Sequence, residues 1–329
     1  MRILSRLAIA ILLCACASAS PAQTAKTSTG KLPFELKLIG PNIWAAIDDA
    51  NGDAGANAGF VIGDNGVLVI DTFENEAAAK ALLIEIQKLT HLPVKFVVNT
   101  HYHVDHVAGN RVFSNAGAVI VAHRNVRGWI NTENLKFYGA KIKPEEKVFV
   151  ENLVGPDVTY ETELTLFLGS RRIDVKSFEG HTGGDSVVNI PDAGIVFCGD
   201  LFWRKTLPNL IDATTSAWIP TLDEIPALPV QGTRDGPVMR AAVFVPGHGD
   251  VGIASDVQDF QKYLEFLRSV TQKAMDEGKS GDELVSAVLP QLTQAYGTWD
   301  FFKDFSHSNI LDAAGELKGT KRVPPRTRK

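Results

Sequence analysis

Residues 100–106 read Thr100-His101-Tyr102-His103-Val104-Asp105-His106, following the apolar run Val94-Lys95-Phe96-Val97-Val98 almost directly. A β-branched run of this kind predicts a buried strand. The carboxyl end of such a strand is where α/β sheets commonly place ligands, so three imidazoles and a carboxylate fall on a loop suited to chemistry. His101 and His103, two apart, can turn the same way from an extended segment. Asp105 and His106 begin the next turn and can face a second point, which makes two metal positions available. Imidazole and carboxylate without thiolate suit zinc, and also iron, manganese or cobalt, because affinity order alone does not select among first-row ions. The chain has 8 His in 329 residues, so three in one short window are hard to assign to chance.

Outward from this loop, composition sets the class. The chain is 45% hydrophobic and 22% charged, ordinary for a globular protein long enough for one large domain or two modest ones. A net charge of −5 leaves no electrostatic footprint for nucleic acid, which is set aside as a partner. The N-terminus reads as a targeting segment over 1–22. Arg2 and Arg6 form a basic start, 7–17 an apolar run, and Ala17-Ser18-Ala19 a small-residue cleavage signal. Export to the periplasm or beyond the cell is expected. Leu13-Cys14-Ala15-Cys16 also resembles a bacterial lipobox, with Cys16 as the residue that a lipid anchor to the membrane would modify. Of the three cysteines, Cys198 alone would then certainly remain, and no intramolecular disulfide is expected. A Thr/Ser/Lys-rich stretch reads as a flexible leader, placed over 23–35.

Beyond the leader, strands alternate with helices. Segments 34–38, 43–47, 58–62 and 66–71 read as an antiparallel opening, and 75–89 carries Ala78, Leu82, Leu83, Ile86 and Leu89 at helical spacing. A strand at 119–122 and a helix at 124–132 follow, then an irregular polar stretch at 133–158 that could act as a flap. A second series of strands covers 164–168, 172–177, 186–190 and 195–197. The loop after Ser177 holds Glu179-Gly180-His181-Thr182, where His181 would be the third imidazole of the first metal. Asp200 follows the apolar run 195–197 on the expected loop, where it could bridge two metals; the plainer reading is a cap or turn residue. His248 follows the apolar run 242–245 between two glycines. His123 and His307 read as structural. In the C-terminal part, Phe260, Tyr263, Leu264, Leu267 and Val270 mark a helix face, and a second helix begins near Gly281. An aromatic cluster at 299–305 reads as core, with a lid or a dimer contact beside the metals as the functional alternative.

HxHxDH at 101–106, GHT at 180–182, GD at 199–200 and GHG at 247–249, in that order, resemble the metallo-β-lactamase superfamily over residues of about 36 to 255. The resemblance implies a mixed α/β fold, a four-layer αββα sandwich with the metals at one edge of its two sheets. It gives a domain at 36–255 and a helical extension at 256–329 packed on it. It also implies a ligand split, with His101, His103 and His181 on one metal, Asp105, His106 and His248 on the other, and Asp200 between. Where thiolate-bearing β-lactamases place a cysteine ligand, this chain offers Asp200, and His106 stands in place of an arginine. The site therefore looks more like glyoxalase II and the exported hydrolase branch, although no glutathione-binding C-terminal region is recognised. Flavodiiron oxidoreductases of this fold usually have Glu where His103 stands, which disfavours an oxidase.

The implied activity is hydrolysis by two zinc ions, with iron or manganese as substitutes. Such ions can lower the pKa of a shared water from about 15.7 toward 7, so hydroxide is available at neutral pH. It would attack the carbonyl of a cyclic amide, lactone or thioester, a small-molecule substrate, with Asp105 orienting the water and shuttling its proton. The alternative class is a non-catalytic metal-binding or redox-associated protein of the same fold. No G-x-S-x-G nucleophile motif occurs.

Overall fold

The computed structural model of the chain describes residues 31–48, 51–230 and 241–324, and 32–329 cluster as one compact unit. The targeting segment expected over 1–22 and most of the leader lie outside the described residues. The chain opens as an antiparallel meander of β1 (Phe34–Gly40), β2 (Ile43–Asp48), β3 (Ala58–Ile62) and β4 (Val67–Ile70), as the alternation predicts. Asn75 then caps α1 (Glu76–Leu89), its Oδ1 accepting the Ala78 N–H at 2.9 Å. This crossover lets β5 (Val94–Asn99) join β4 in parallel, and β6 (Val119–His123) and β7 (Val158–Tyr160) extend the sheet in parallel. Between these strands lie α2 (Val104–Val107), α3 (Asn110–Asn115), α4 (Arg124–Trp129) and α5 (Pro144–Glu151). The second sheet comprises β8 (Glu163–Leu168), β9 (Arg171–Ser177), β10 (Ser186–Ile190), β11 (Ile195–Trp203) and β12 (Val243–His248). All pair antiparallel in sequence order except β12, which lies parallel to β11. Beyond β11 come α6 (Thr215–Glu224), and after β12 α7 (Ala254–Asp276), α8 (Gly281–Tyr296) and α9 (Phe302–Leu317).

Strand alternation builds the layers. In β4, Val67 and Val69 pack outward with Leu82 and Ile86 of α1, while Leu68 and Ile70 point at the second sheet. In β11, Ile195 and Phe197 face that same inter-sheet core, and Val196 and Cys198 face the helical side with Phe260, Leu264 and Leu267 of α7. Both faces of each central strand are covered, which is why these strands read as unbroken apolar runs. The αββα sandwich expected from the sequence is the observed fold. Truncating a fully buried inter-sheet residue such as Leu68 to Ala removes about 2–5 kcal/mol.

Two expectations need correction. The stretch read as irregular contains a 3₁₀ segment at Glu133–Lys141 and the helix α5, which starts with Pro144 in its first turn and Glu146 accepting the Lys143 N–H at 2.8 Å. Its apolar face is slight, since only Val150 is buried, and hydrophobic periodicity could not reveal it. Asp200 lies inside β11 rather than on a loop beyond it. The strand continues because β12 pairs with it past the register shift at Gly199, whose φ of +51° re-aims the residues that follow. His123 is structural, as expected, its Nδ1 accepting the Asn125 N–H at the start of α4. His307 is exposed on α9.

Candidate metal centre

The end of β4 fixes the loop that follows β5. Asp71, in the left-handed region at φ +55°, accepts the Thr100 N–H at 2.8 Å and the Thr100 hydroxyl at 2.7 Å. Thr72 donates its N–H and its hydroxyl to the His106 carbonyl, at 2.8 and 3.1 Å. The chain thus bends at Thr100 and His101, runs extended at His103, and the short α2 turns Asp105 and His106 back toward the sheet edge. His181 arrives on the loop after β9, Asp200 from within β11, and His248 as the last residue of β12. Gly247 is obligatory here, because a Cβ on it would lie 1.8 Å from Asp200 Oδ1.

The structure brings all seven expected residues together, in two groups. His101, His103, His181 and Asp200 form one, and Asp105, His106 and His248 the other; within each group the candidate ligand atoms lie within 4.8 Å of one another. Asp200 divides its carboxylate between them. Its Oδ1 lies 3.0 Å from His106 Nε2 and 3.6 Å from His248 Nε2, while its Oδ2 lies 3.7 Å from His101 Nε2 and 3.6 Å from His181 Nε2. The Nε2 atoms of His101, His106, His181 and His248, and Asp200 Oδ1, are buried without an aligned hydrogen-bond partner. Each such atom costs about 1–3 kcal/mol if nothing satisfies it. Convergent lone pairs of this kind fit cations, so the donor set passes the test for a metal site.

Outer partners set the tautomers. His106 Nδ1 lies 2.9 Å from Asp71 Oδ2, leaving Nε2 to face inward, and His103 Nε2 lies 3.1 Å from Asp212 Oδ2, leaving Nδ1. His101 Nδ1 meets the Thr100 hydroxyl at 3.1 Å. Asp212 also accepts the Tyr102 hydroxyl at 2.5 Å and a short contact from the Lys136 ammonium. Against the cost of burial, His103 and Lys136 hold the Asp212 carboxyl below the usual carboxylate range. Sequence reasoning missed Asp71, Asp212 and Lys136. A signal existed for Asp71 alone, which ends a buried strand beside β5.

Burial, with His106 nearby, pushes His101 well below its ordinary imidazole value, and burial takes His181 down to about 3, so both are neutral near pH 7 and able to donate a lone pair. Burial acts the same way on His106, but Asp200, Asp105 and Asp71 outweigh it and raise that imidazole well above its usual value. Aromatic rings complete the walls. Trp203 stacks on His248 with centroids 4.0 Å apart, and Phe137 meets the His103 ring edge-on at 4.9 Å. The Asp105 side chain keeps 24% of its surface exposed, against 8% or less for His101, His106, His181, Asp200 and His248. Cys198 faces the helical core instead, where burial pushes its thiol up, and it belongs to neither group.

The family model described as the metallo-β-lactamase superfamily matches residues 51–248. Among curated relatives, the linear primary-alkylsulfatase of a Pseudomonas species is 21% identical over 282 residues, covering 71% of this chain and 51% of the relative. The hydroxyacylglutathione hydrolase of Erythrobacter litoralis is 27% identical over 177 residues, 53% of this chain and 59% of its own. The chain thus spans between half and three-fifths of the length of these relatives. A solved metallo-β-lactamase from Pontibacter korlensis superposes with a TM-score of 0.56 at 24% identity, covering 70% of this chain and 99% of that one. The DIM-1 metallo-β-lactamase gives 0.55 at 21%, covering 70% and 97%. These superpositions repeat the fold, the family match spans three of the four motifs completely and reaches the histidine of the last, and the site residues meet where the strands end: the chain belongs to the metallo-β-lactamase superfamily.

Proposed function

We propose that the protein is an exported metal-dependent hydrolase that holds two zinc ions and cleaves a small cyclic amide, lactone or thioester. The observation that carries this is the division of Asp200 between two histidine groups, one carboxylate oxygen toward each. His101, His103 and His181 would hold one ion, Asp105, His106 and His248 the other, with Asp200 shared. Two divalent ions there would polarise the scissile carbonyl and bring the pKa of a water down toward about 7. The chain's own residues do the rest. Asp71 and Asp212 keep the imidazoles of His106 and His103 aimed inward, so the positions are set before substrate arrives. Phe137 covers the ring of His103 in one group, and Trp203 that of His248 in the other. Asp105, the carboxylate with solvent access, takes the proton of the attacking water on a carboxylate oxygen and passes it to the leaving atom.

A second reading, sulfate-ester hydrolysis, is favoured by the alkylsulfatase likeness, which extends over 282 residues. Metal-loaded protein should be offered a chromogenic cephalosporin, a lactone, an S-acyl glutathione and an alkyl sulfate, with metal content measured in parallel. Turnover of one class that disappears on chelation supports the proposal and names the bond; silence across the whole panel refutes it. Export is part of the same reading and rests on the targeting pattern of 1–22, with Cys16 as the residue a lipid anchor would carry. Intact mass of the protein from its native host should show the first fifteen or so residues gone, and retention of Met1 would defeat it.

A further inference from the structure

Phe301 is a non-glycine residue in the left-handed region, φ 56° and ψ 13°, at the start of α9. An L side chain there costs free energy that glycine would not. The backbone is held in place from both sides. The Asp300 N–H donates to the Lys205 carbonyl at 3.0 Å, the Leu207 N–H donates to the Asp300 carbonyl at 2.9 Å, and the Phe305 N–H returns to the Phe301 carbonyl at 3.0 Å. Lys205, on the opposite side of this bridge, is likewise left-handed at φ 54°. A strained aromatic is ordinarily repaid by burial, yet the Phe301 residue is 41% exposed. Its ring stands 6.0 Å from that of His248 and 6.4 Å from that of Trp203. It also lines a groove of about 550 Å³, where Ile47 and His248 share the wall with the carboxylates of Glu35, Asp48, Asp250 and Asp300. The groove meets the metal centre at His248. The ring also meets that of Phe305 at 5.7 Å, so packing holds one side of it, while its exposed side overlooks a candidate ligand, where a left-handed non-glycine residue points to a functional constraint.

We infer that Phe301 is a specificity-determining contact and that the groove seats the non-reacting end of the substrate, an acyl group that terminates in an aromatic or similarly flat apolar moiety. The inference rests on the hydrolase reading for the reacting end only. With the scissile carbonyl at the ions that His248 and its neighbours would hold, the acyl chain passes His248 and the ring at its end stacks on Phe301. Ring pairing of this kind is worth about tenfold in affinity.

The test uses 4-phenylbutyrate and acetate, two carboxylates that differ in the arm and ring, titrated calorimetrically into zinc-loaded protein. Phenylbutyrate should bind about tenfold more tightly than acetate. Phe301→Asn, which suits the left-handed backbone, should erase that advantage while acetate affinity and Tm hold, and Phe301→Tyr should keep the advantage. Equal affinities for the two carboxylates in the native protein would overturn the inference, as would an advantage that survives Phe301→Asn. A fall of several degrees in Tm with both ligands weakened alike would also overturn it, since the ring would then be a packing group. Selective binding without turnover of any substrate supports the groove and defeats the hydrolase reading instead.

Discussion

The two halves of the metal centre are built differently. The half formed by His101, His103 and His181 is closed, each residue buried, with Asp212 behind His103 and that carboxylate in turn gripped by Tyr102 and Lys136. The half formed by Asp105, His106 and His248 is anchored by Asp71 but opens to solvent through Asp105 and lies against the groove beside His248. A closed half is preorganised and loses nothing on binding an ion; an open half has room for water and substrate. On the proposed reading one side holds and the other reacts, and Asp200 reaches both, one carboxylate oxygen toward each.

Removing the shared residue should abolish the distinction. If two cations are held as proposed, Asp200→Ala would leave them without the anion between them, so metal content should fall at both positions and kcat/KM by at least about a thousandfold, roughly 4 kcal/mol. Elemental analysis showing one ion retained at full occupancy would mean the halves are independent. Asp105→Asn should act on the open half alone. It keeps the shape and loses the charge, so kcat should drop about a hundredfold, close to 3 kcal/mol, with Tm nearly unchanged and one ion still tightly held.

The carboxylates behind the imidazoles sharpen the same contrast. Asp212→Asn weakens the aim of His103, and Asp71→Asn that of His106, each by an expected ten- to hundredfold in metal affinity. Chelator competition should show that Asp212→Asn releases the ion of the closed half first and Asp71→Asn that of the open half. If both variants release the same ion, the assignment of outer partners to halves is wrong.

All seven candidate ligands were legible because each stands in a short motif after an apolar run, and the order of the motifs carries the fold with it. The residues that orient them were harder to read. Asp212 sits in the aperiodic stretch between β11 and α6, and Lys136 reaches it from a 3₁₀ segment with no apolar stripe, so neither position has a local pattern. Asp200 looked like a loop residue because an apolar run ends before it; only pairing with β12, distant in sequence, keeps β11 extended through Trp203. The aromatic run at 299–305 read as core. Trp299 does pack there, but Phe301 is exposed, a difference set by one left-handed φ that composition does not encode.

The smallest expected effect asks whether the closed half borrows its rigidity from the C-terminal helices. Glu316 of α9 accepts the N–H groups of Thr215 and Ser216 at 2.8 and 2.9 Å and both hydroxyls at 2.6 and 2.8 Å, and meets Arg268 Nη1 at 2.9 Å. It thereby caps α6 directly after the loop that carries Asp212, and the neighbouring Thr214 N–H bonds the Gly180 carbonyl beside His181. Burial opposes its ionisation, but the Thr215 and Ser216 donors win and hold its carboxyl below the ordinary value of 4.5. A depressed native pKa means the unfolded chain binds more protons, so this contribution is complete above about pH 4.5 and fades as pH falls through the native value. Glu316→Gln should therefore cost about 1 kcal/mol at pH 7, and the gap to the native protein should close in acid. Taking the difference between the two proteins at each pH cancels the titration of the metal centre, which both share. A gap that stays constant down to pH 3 would show that the clasp works by shape and not by charge. A loss of metal from the closed half of Glu316→Gln, with the open half unaffected, would extend the contrast between the halves out to the last helix of the chain.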